Sequence, residues 1–464
     1  MAYRQKHKRP TRFDYDLIVI GSGSGGGVAA TASARKGKKV AIIEAGAIGG
    51  ECPNFGCVPT KSLLGAAEAY HNAKNAGKYG VKVRSVDFDY RQVKAWKDSR
   101  VHNTGTHEGT KAYKRAGVDV HKGRAHFLDK WTVSIGKKRF TASKFLIATG
   151  TYNVIPPIEG LKQTGFITYK EAIDLEKLPK SIFIIGGGAI GCEFAQIFNT
   201  FGVRVHIAEF MDHLLPKEDT EVGALVGQLF EREKIHVHTT TKVIEVKATT
   251  KGKEVIYIEG GKTRRATVEE VLLATGKGAM TDMGLENAGV KYSQRSIPTN
   301  KRMQTSAAHI YAAGDVTGPY MFTHMASYQS RIAAHNMWSR KKREADYHAV
   351  PRCVFVTPEA ASVGLTESEL NDKNIEYQKA LVPIGVVGRS NTSDQSDGFV
   401  KVLASHNGVI LGASIVAPRA GEMIHELTLA CQLGLKAHQI EQTIHAFPTW
   451  SQAVRSACAR IISF

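Results

Sequence analysis

The chain has 464 residues, 42% of them hydrophobic, enough to bury several cores and to divide into about three or four domains. No apolar stretch approaches the ~20 residues needed to span a bilayer, and the run Leu17 to Ile20 is far too short for a signal segment, so the reading is no membrane partner and a cytoplasmic location. The net charge of +19 predicts steering of anionic partners and salt-sensitive association. Its basic residues are scattered without a recognition motif, which argues against nucleic acid as a partner.

The basic start Met1 to Pro10 imitates a transit peptide but runs directly into the first strand, and it is read as a disordered tail. Tyr15 to Ile20 is a short apolar run of the kind that forms a buried parallel strand. It ends in Gly21-Ser22-Gly23-Ser24-Gly25-Gly26, a G-x-G-x-x-G turn, and an Ala-rich helical run follows from Val28 to Ala34. A second strand, Val40 to Ile43, ends in Glu44. Strand, glycine turn, helix, strand and acid together form a dinucleotide-binding unit: glycines admit the pyrophosphate, the helix N-terminus faces its charge, and the acid reaches a ribose hydroxyl.

Cys52 and Cys57 come next, within Gly49-Gly50-Glu51-Cys52-Pro53-Asn54-Phe55-Gly56-Cys57-Val58-Pro59-Thr60-Lys61, about one helical turn apart. Two close thiols in a chain of only six cysteines suit a redox-cycling pair better than a stability staple. A zinc half-site or a pair of buried cysteines are the alternatives. None of Cys192, Cys353, Cys431 and Cys458 has ligand-like spacing, so no metal is expected.

The dinucleotide unit then recurs. Ser181 to Ile185 leads into Gly186-Gly187-Gly188-Ala189-Ile190-Gly191, a helical run through Phe198, and Val203 to Ala208 ending in Glu209. An acid there favours the free 2′-hydroxyl of NADH, whereas NADPH sites usually supply arginine; Arg204, His206 and Lys217 are close enough to weigh against that preference. After Asp346 the pattern changes to antiparallel strands and helices, including Val350 to Glu359.

With the redox motif and both glycine turns in place, the chain resembles the class I pyridine nucleotide-disulfide oxidoreductases, the FAD-containing family of dihydrolipoamide dehydrogenase, glutathione reductase and mercuric reductase. Lys144 to Gly150, Glu270 to Gly276 and Ile310 to Asp315 are further matches, and the resemblance runs almost end to end. It implies an α/β fold with two Rossmann-like dinucleotide-binding domains and an α+β C-terminal dimerisation domain. The boundaries read are 1–151 for FAD and the redox pair, 152–277 for NAD(P)H, 278–345 for a central segment returning to FAD, and 346–464 for the interface domain.

By the same resemblance, FAD would be held by Gly21, Gly23, Gly26, Glu44, Gly49, Lys61, Ala125, Thr149, Gly150, Asp315 and the Met321 to His324 segment. NAD(H), with NADP(H) less favoured, would be held by Gly186, Gly188, Gly191, Glu209 and Gly276. Lys61 and Glu193 match the family's ion pair near the reactive edge of the flavin. Hydride would pass from nicotinamide to flavin and electrons on to the disulfide, with Cys57 the flavin-side charge-transfer thiol and Cys52 the interchange thiol. A homodimer is implied, because the family's terminal segment completes the partner's active site. Ala274-Thr275-Gly276-Lys277-Gly278-Ala279-Met280 departs from the family's A-T-G-R-x-P-N.

The C-terminal segment departs at a critical place. Where the family carries H-P-[ST]-x-x-E, this chain reads His445-Ala446-Phe447-Pro448-Thr449-Trp450-Ser451-Gln452, with Phe447 at the histidine position and Gln452 at the glutamate position. His445 is either a substitute base or a hydrogen-bonded structural histidine. Mercuric reductase-like enzymes use a terminal cysteine pair instead, and here only Cys458 is present. The leading expectation is therefore electron transfer from NADH to a small acceptor such as a metal ion, quinone or disulfide. A dihydrolipoamide dehydrogenase-like reductase is the second reading, and a redox-sensing or nucleic-acid-binding flavoprotein without turnover is the third.

Overall fold

The computed structural model describes residues 9–462, so the predicted tail lies mostly outside the described residues. The chain forms two compact units: Met1–Ser62, Ala95–Val154 and Gly276–Asp346 make the first, and Leu63–Lys94, Ile155–Thr275 and Tyr347–Phe464 make the second.

The first unit is built on a mainly parallel sheet in the order Val118–Lys122, Val40–Glu44, Tyr15–Ile20 and Lys138–Ile147. Ile310–Ala312 pairs in parallel with Phe145 to Ile147, and the antiparallel strands Thr132–Ile135 and His126–Phe127 extend the other half of the edge. Leu17, Ile18 and Val19 are completely buried, as an uninterrupted apolar strand must be when both sheet faces are covered. The helix Ser24–Ala34 buries Gly25, Gly26, Ala29, Ala30 and Ser33. These small side chains let the helix Thr323–Trp338 lie against it: Ser330 Oγ donates to the Gly25 carbonyl, and Trp338 Nε1 donates to Ser33 Oγ at 3.0 Å. The contacts advance in the same direction along both helices, so the two run parallel and end together.

In the second unit a parallel sheet runs His236–His238, Arg204–Ala208, Ser181–Ile185, Glu270–Leu273, with the meander Thr241–Thr249, Gly252–Glu259, Lys262–Val268 sharing its core. The third layer is an antiparallel sheet, Arg352–Val354, Glu359–Gly364, Ile410–Ala417, Phe399–Ala404 and Gln378–Pro383, packed on the helix Ala420–Leu433 through Val400, Val402, Ile415 and Leu427.

Strand alternation aims Lys401, between Val400 and Val402, away from that apolar core. Lys401 is wholly buried, and its ammonium lies 3.3 Å from Asp219, 2.8 Å from Glu221 and against Glu367. Ser414 Oγ and the Glu367 amide donate to Asp219 at 2.8 and 2.9 Å. These three carboxylates are grouped closely enough to hold a metal ion, and the lysine's charge stands among them instead. Burial disfavours ionisation of Glu367, but hydrogen bonds from Lys401, Tyr377 and Lys379 outweigh it and hold its pKa at about 2, down from 4.5.

Because the folded pKa of Glu367 is depressed, its contribution to stability is present above the unfolded value of 4.5 and is lost as pH falls toward 2. Lys401→Met should cost about 3–5 kcal/mol at neutral pH, because it strands the buried Asp219 beside the half-buried Glu221 and Glu367. Thermal unfolding at pH 7 and pH 5 checks this: the deficit should shrink at pH 5 as the freed carboxylates take up protons, and an equal deficit at both would count against the electrostatic account.

Candidate active site

The two glycine turns are built alike, and each glycine has its own reason. Gly21 has φ +102°, and a Cβ there would lie 2.3 Å from the Ala148 carbonyl oxygen; one on Gly26 would lie 1.9 Å from the Gly21 carbonyl oxygen. Gly186 and Gly191 repeat this with φ +113° and 1.9 Å. The middle glycines differ: a Cβ on Gly23 would meet nothing closer than Gly50 Cα at 3.7 Å, and one on Gly188 nothing within 4 Å. Packing inside the protein does not require glycine at 23 or 188, whereas close approach of a pyrophosphate to the backbone does. Both turns therefore fit a dinucleotide.

The acids brace these turns. Glu44 accepts from the Ser22 amide and hydroxyl, both at 2.7 Å, and from the Gly46 amide at 2.7 Å. Glu209 is buried and accepts from the Gly187 amide at 2.8 Å and the Met211 amide at 3.0 Å. Of the cations near Glu209, Arg204 and Lys217 are exposed. His206 stacks on Phe183, and its Nδ1 lies 3.1 Å from His238 Nε2. Burial and the adjacent His236 and His238 hold the His206 pKa at about 4, so it is neutral at physiological pH and supplies no charge to a 2′-phosphate.

The remaining expected FAD contacts all fall in the first unit. Ala125 is packed into its core. Thr149 Oγ1 donates to the Met280 carbonyl at 2.8 Å, and the Gly150 carbonyl accepts from the Met280 amide at 3.0 Å. Gly150 and Gly276, with φ +70° and +120°, flank the antiparallel pair Thr151–Asn153 and Lys277–Ala279. Met321 is half-buried, and the exposed His324 stacks on Phe322.

Cys52 and Cys57 do not share a helical turn. Cys52 lies in the short helix Glu51–Asn54, the chain breaks at Phe55 and Gly56, and Cys57 opens the helix Cys57–Lys74, one turn before Lys61. Asn54 Nδ2 ties the loop by donating to the Ile48 and Gly50 carbonyls at 3.0 and 2.7 Å. Both cysteines are thiols in hydrogen-bonding contact; Cys57 is exposed, Cys52 half-buried, and Cys57 Sγ lies 3.3 Å from Thr323 Oγ1. The bond to Cys57 and burial push the Cys52 thiol far above the ordinary cysteine range, against the opposing effect of Thr323. Cys57 is the first residue of an 18-residue helix, whose N-terminal end carries partial positive charge.

A charged group that the motifs did not reveal adjoins the thiols. Glu51 pairs with Lys277, both partly buried. Burial raises the Asp315 pKa to about 6, with Lys277 opposing and Glu51 and Cys57 adding to the rise, so these groups feel one another. The available signal was Lys277 itself, standing where the family pattern has arginine. Thr323 lay inside the segment Met321 to His324, but its contact with Cys57 has no signature in the sequence.

In the second unit, Glu193 is buried and accepts from the Phe355 amide at 3.1 Å. His445 Nε2 lies 2.9 Å from Glu426, and its Nδ1 lies 2.8 Å from the Thr443 carbonyl, so both ring nitrogens are engaged. Phe447 is 77% exposed. Gln452 Oε1 accepts from the Thr449 amide at 3.4 Å.

Lys277→Met should move the thiolate titration of Cys57 to higher pH, because it leaves Glu51 and Asp315 uncompensated, and at pH 7 should slow alkylation of the reduced protein by iodoacetamide about tenfold. Lys277→Arg should preserve the rate. An unchanged titration in the methionine variant would leave the pair a purely structural role.

Comparison with known proteins agrees with this geometry. Residues 15–330 match the pyridine nucleotide-disulphide oxidoreductase family, and residues 350–458 match the family's dimerisation domain. The chain is 36% identical to a dihydrolipoyl dehydrogenase of Thermus scotoductus over 96% of each chain, and 32% identical to a mercuric reductase of Staphylococcus aureus over 96% of this chain and 82% of that one. Among solved structures, the HOCl-induced flavoprotein disulfide reductase RclA from Escherichia coli superposes with a TM-score of 0.85 at 26% identity, covering 97% of this chain and all of that one. Its Cu(II) complex gives the same score and identity, with 97% and 99% covered. The redox motif, the paired dinucleotide turns and the dimerisation domain make this chain a member of the class I pyridine nucleotide-disulfide oxidoreductases, NAD(P)H-dependent enzymes that work through FAD and a redox-active disulfide.

Proposed function

We propose that the enzyme draws electrons from NADH and delivers them through FAD and the Cys52–Cys57 pair to a small acceptor that needs no proton from a histidine base, a metal ion or quinone ahead of a disulfide. The observation that carries this reading is Phe447, an exposed apolar ring at the base position, followed by an amide rather than a carboxylate at Gln452. With both its ring nitrogens engaged, His445 is read as a structural histidine. The Cu(II) complex of the RclA neighbour supports a metal ion among the acceptor classes.

FAD, when bound, supplies the acceptance of hydride from nicotinamide and the onward delivery of an electron pair. The chain's own contribution is positional. Gly23 and Gly188 would admit the two pyrophosphates, Glu44 and Glu209 would receive ribose hydroxyls, and the partly buried Asp315 would hold the flavin's ribityl chain. In this reading Cys57 would hold the thiolate at the helix N-terminus, and Cys52 would be the thiol that meets the acceptor. The dimerisation domain supports a homodimer. No helix among the described residues is long and apolar enough to cross a membrane, and Cys192, Cys431 and Cys458 are buried thiols, which supports a reducing, cytoplasmic setting.

Glu209 would accept from a 2′-hydroxyl and repel a 2′-phosphate, so kcat/KM for NADH should exceed that for NADPH, and Glu209→Ala should narrow the ratio. A wild-type preference for NADPH would remove Glu209 from this role.

NADH consumption measured with lipoamide, glutathione disulfide, Cu(II), Hg(II) and quinones tests the acceptor class. The disulfides should turn over poorly while NADH still reduces the flavin rapidly, because the missing base acts only after that step. Phe447→His with Gln452→Glu should raise disulfide turnover about tenfold. Rapid wild-type lipoamide turnover that is lost in His445→Ala would instead establish the dihydrolipoamide dehydrogenase-like reading, which the identity to dihydrolipoyl dehydrogenases favours.

A further inference from the structure

The fold gathers positive charge that the sequence distributes. Helices Ser24–Ala34 and Thr323–Trp338 run parallel and end side by side, where Trp338 Nε1 meets Ser33 Oγ. Each is followed at once by a basic turn. Residues 35–39 carry four cations and residues 340–343 four more, and neither turn contains a carboxylate. Lys38 from the first turn and Lys144 from the sheet lie over the Trp338 ring, 5.0 and 5.6 Å from its centre. Burial lowers the Lys144 pKa, and repulsion from Lys342 and Arg9 lowers it further, so these cations share one neighbourhood. Two acids adjoining these turns in sequence or contact are already engaged: Asp16 accepts from the Lys39 amide at 2.9 Å, and Glu344 pairs with Arg302.

Helix capping does not account for this charge. Two helix C-termini present about half a negative charge each, roughly one unit in all. Lys342 already serves one of them, donating to the Asn336 and Ser339 carbonyls at 2.6 and 2.8 Å. A large positive surplus remains. It lies at the opposite end of the first helix from the glycine turn, about 16 Å along an 11-residue helix, and is therefore distinct from the dinucleotide end.

The chemistry of the face narrows its partner. No large hydrophobic side chain is exposed at residues 9–39, 138–147 or 335–346. A protein partner would ordinarily find an apolar centre, and a membrane an insertable side chain. Trp338 is only half-exposed, lies under two lysines and spends its N–H on Ser33, so it offers no ring for a base to stack on. Charge without apolar anchors or stacking rings suits a regular array of phosphates. From this juxtaposition we propose that the face formed by the ends of these two helices binds nucleic acid through its phosphate backbone, without reading base sequence. This proposal departs from the expectation drawn from basic residues scattered along the sequence, because the fold places eight of them in two adjacent turns.

The test uses the full-length holoenzyme and fluorescence anisotropy of a labelled duplex of about 30 base pairs, at salt from about 50 to 200 mM. The patch variant Lys36→Ala/Lys39→Ala/Arg340→Ala/Lys341→Ala is compared with a variant of equal net charge, Lys242→Ala/Lys251→Ala/Lys262→Ala/Lys373→Ala. All eight side chains are exposed. Flavin absorbance and NADH-dependent flavin reduction should be unchanged in both. The patch variant should bind at least about tenfold more weakly at low salt, with a log–log salt slope shallower by roughly 3 to 4, while the second variant stays within about twofold of wild type. Equal losses in both variants, absence of wild-type binding at about 50 mM salt, or binding to phosphatidylglycerol vesicles but not to the duplex would each overturn the proposal.

Discussion

Both dinucleotide modules depend on one contact that no side chain can share: the carbonyl oxygen of the first glycine lies where a Cβ on the last would stand, 1.9 Å away at Gly26 and again at Gly191. That closeness seats the start of the helix against the end of the strand, so the helix's unsatisfied amides and positive end face outward above the turn. The loop itself would otherwise be slack. Glu44 and Glu209 hold it by accepting amide hydrogens from Ser22 and Gly187, so the acid that would recognise a ribose also fixes the turn beneath it. At these positions binding and local folding use the same groups.

Charge management is the second theme. The Asp219, Glu221 and Glu367 carboxylates surround Lys401, and Glu51 is matched by Lys277. In each case a charge wholly or partly withdrawn from water stands beside its complement, and removing one partner exposes the cost. The redox loop shows why this matters for chemistry. Burial raises the Asp315 pKa to about 6, with Lys277 opposing the rise and Glu51 and Cys57 adding to it, so acid, lysine and sulfur meet at one residue.

Much of this was legible in order along the chain. Strand, glycine turn, helix and terminal acid appear in the structure at both predicted places, because period and turn chemistry are local properties. The helix predicted through Phe198 ends at Thr200, and the second strand closes on Glu44. The spacing of Cys52 and Cys57 suggested one helical turn but neither the break at Phe55 and Gly56 nor the close approach of the loop to the first glycine turn, where a Cβ on Gly50 would lie 2.6 Å from Gly23 Cα. Pairings such as Lys401 with Asp219, or Cys57 with Thr323, join residues 182 and 266 positions apart and leave no periodic trace. The same is true of the basic face, whose two turns become one surface only because their helices end together.

The strand Ile310–Ala312 completes the first sheet by pairing with Phe145 to Ile147, although residues 155–275 lie between them in sequence. The first unit is thus discontinuous, and the sheet of Ser181–Ile185, Arg204–Ala208, His236–His238 and Glu270–Leu273 has all its strands available earlier. A chain emerging from the ribosome can close that inserted sheet while Phe145 to Ile147 still lack Ile310–Ala312 beside them. Order of synthesis and order of completion are therefore opposed: the module that begins first has to wait for a segment more than a hundred residues beyond it.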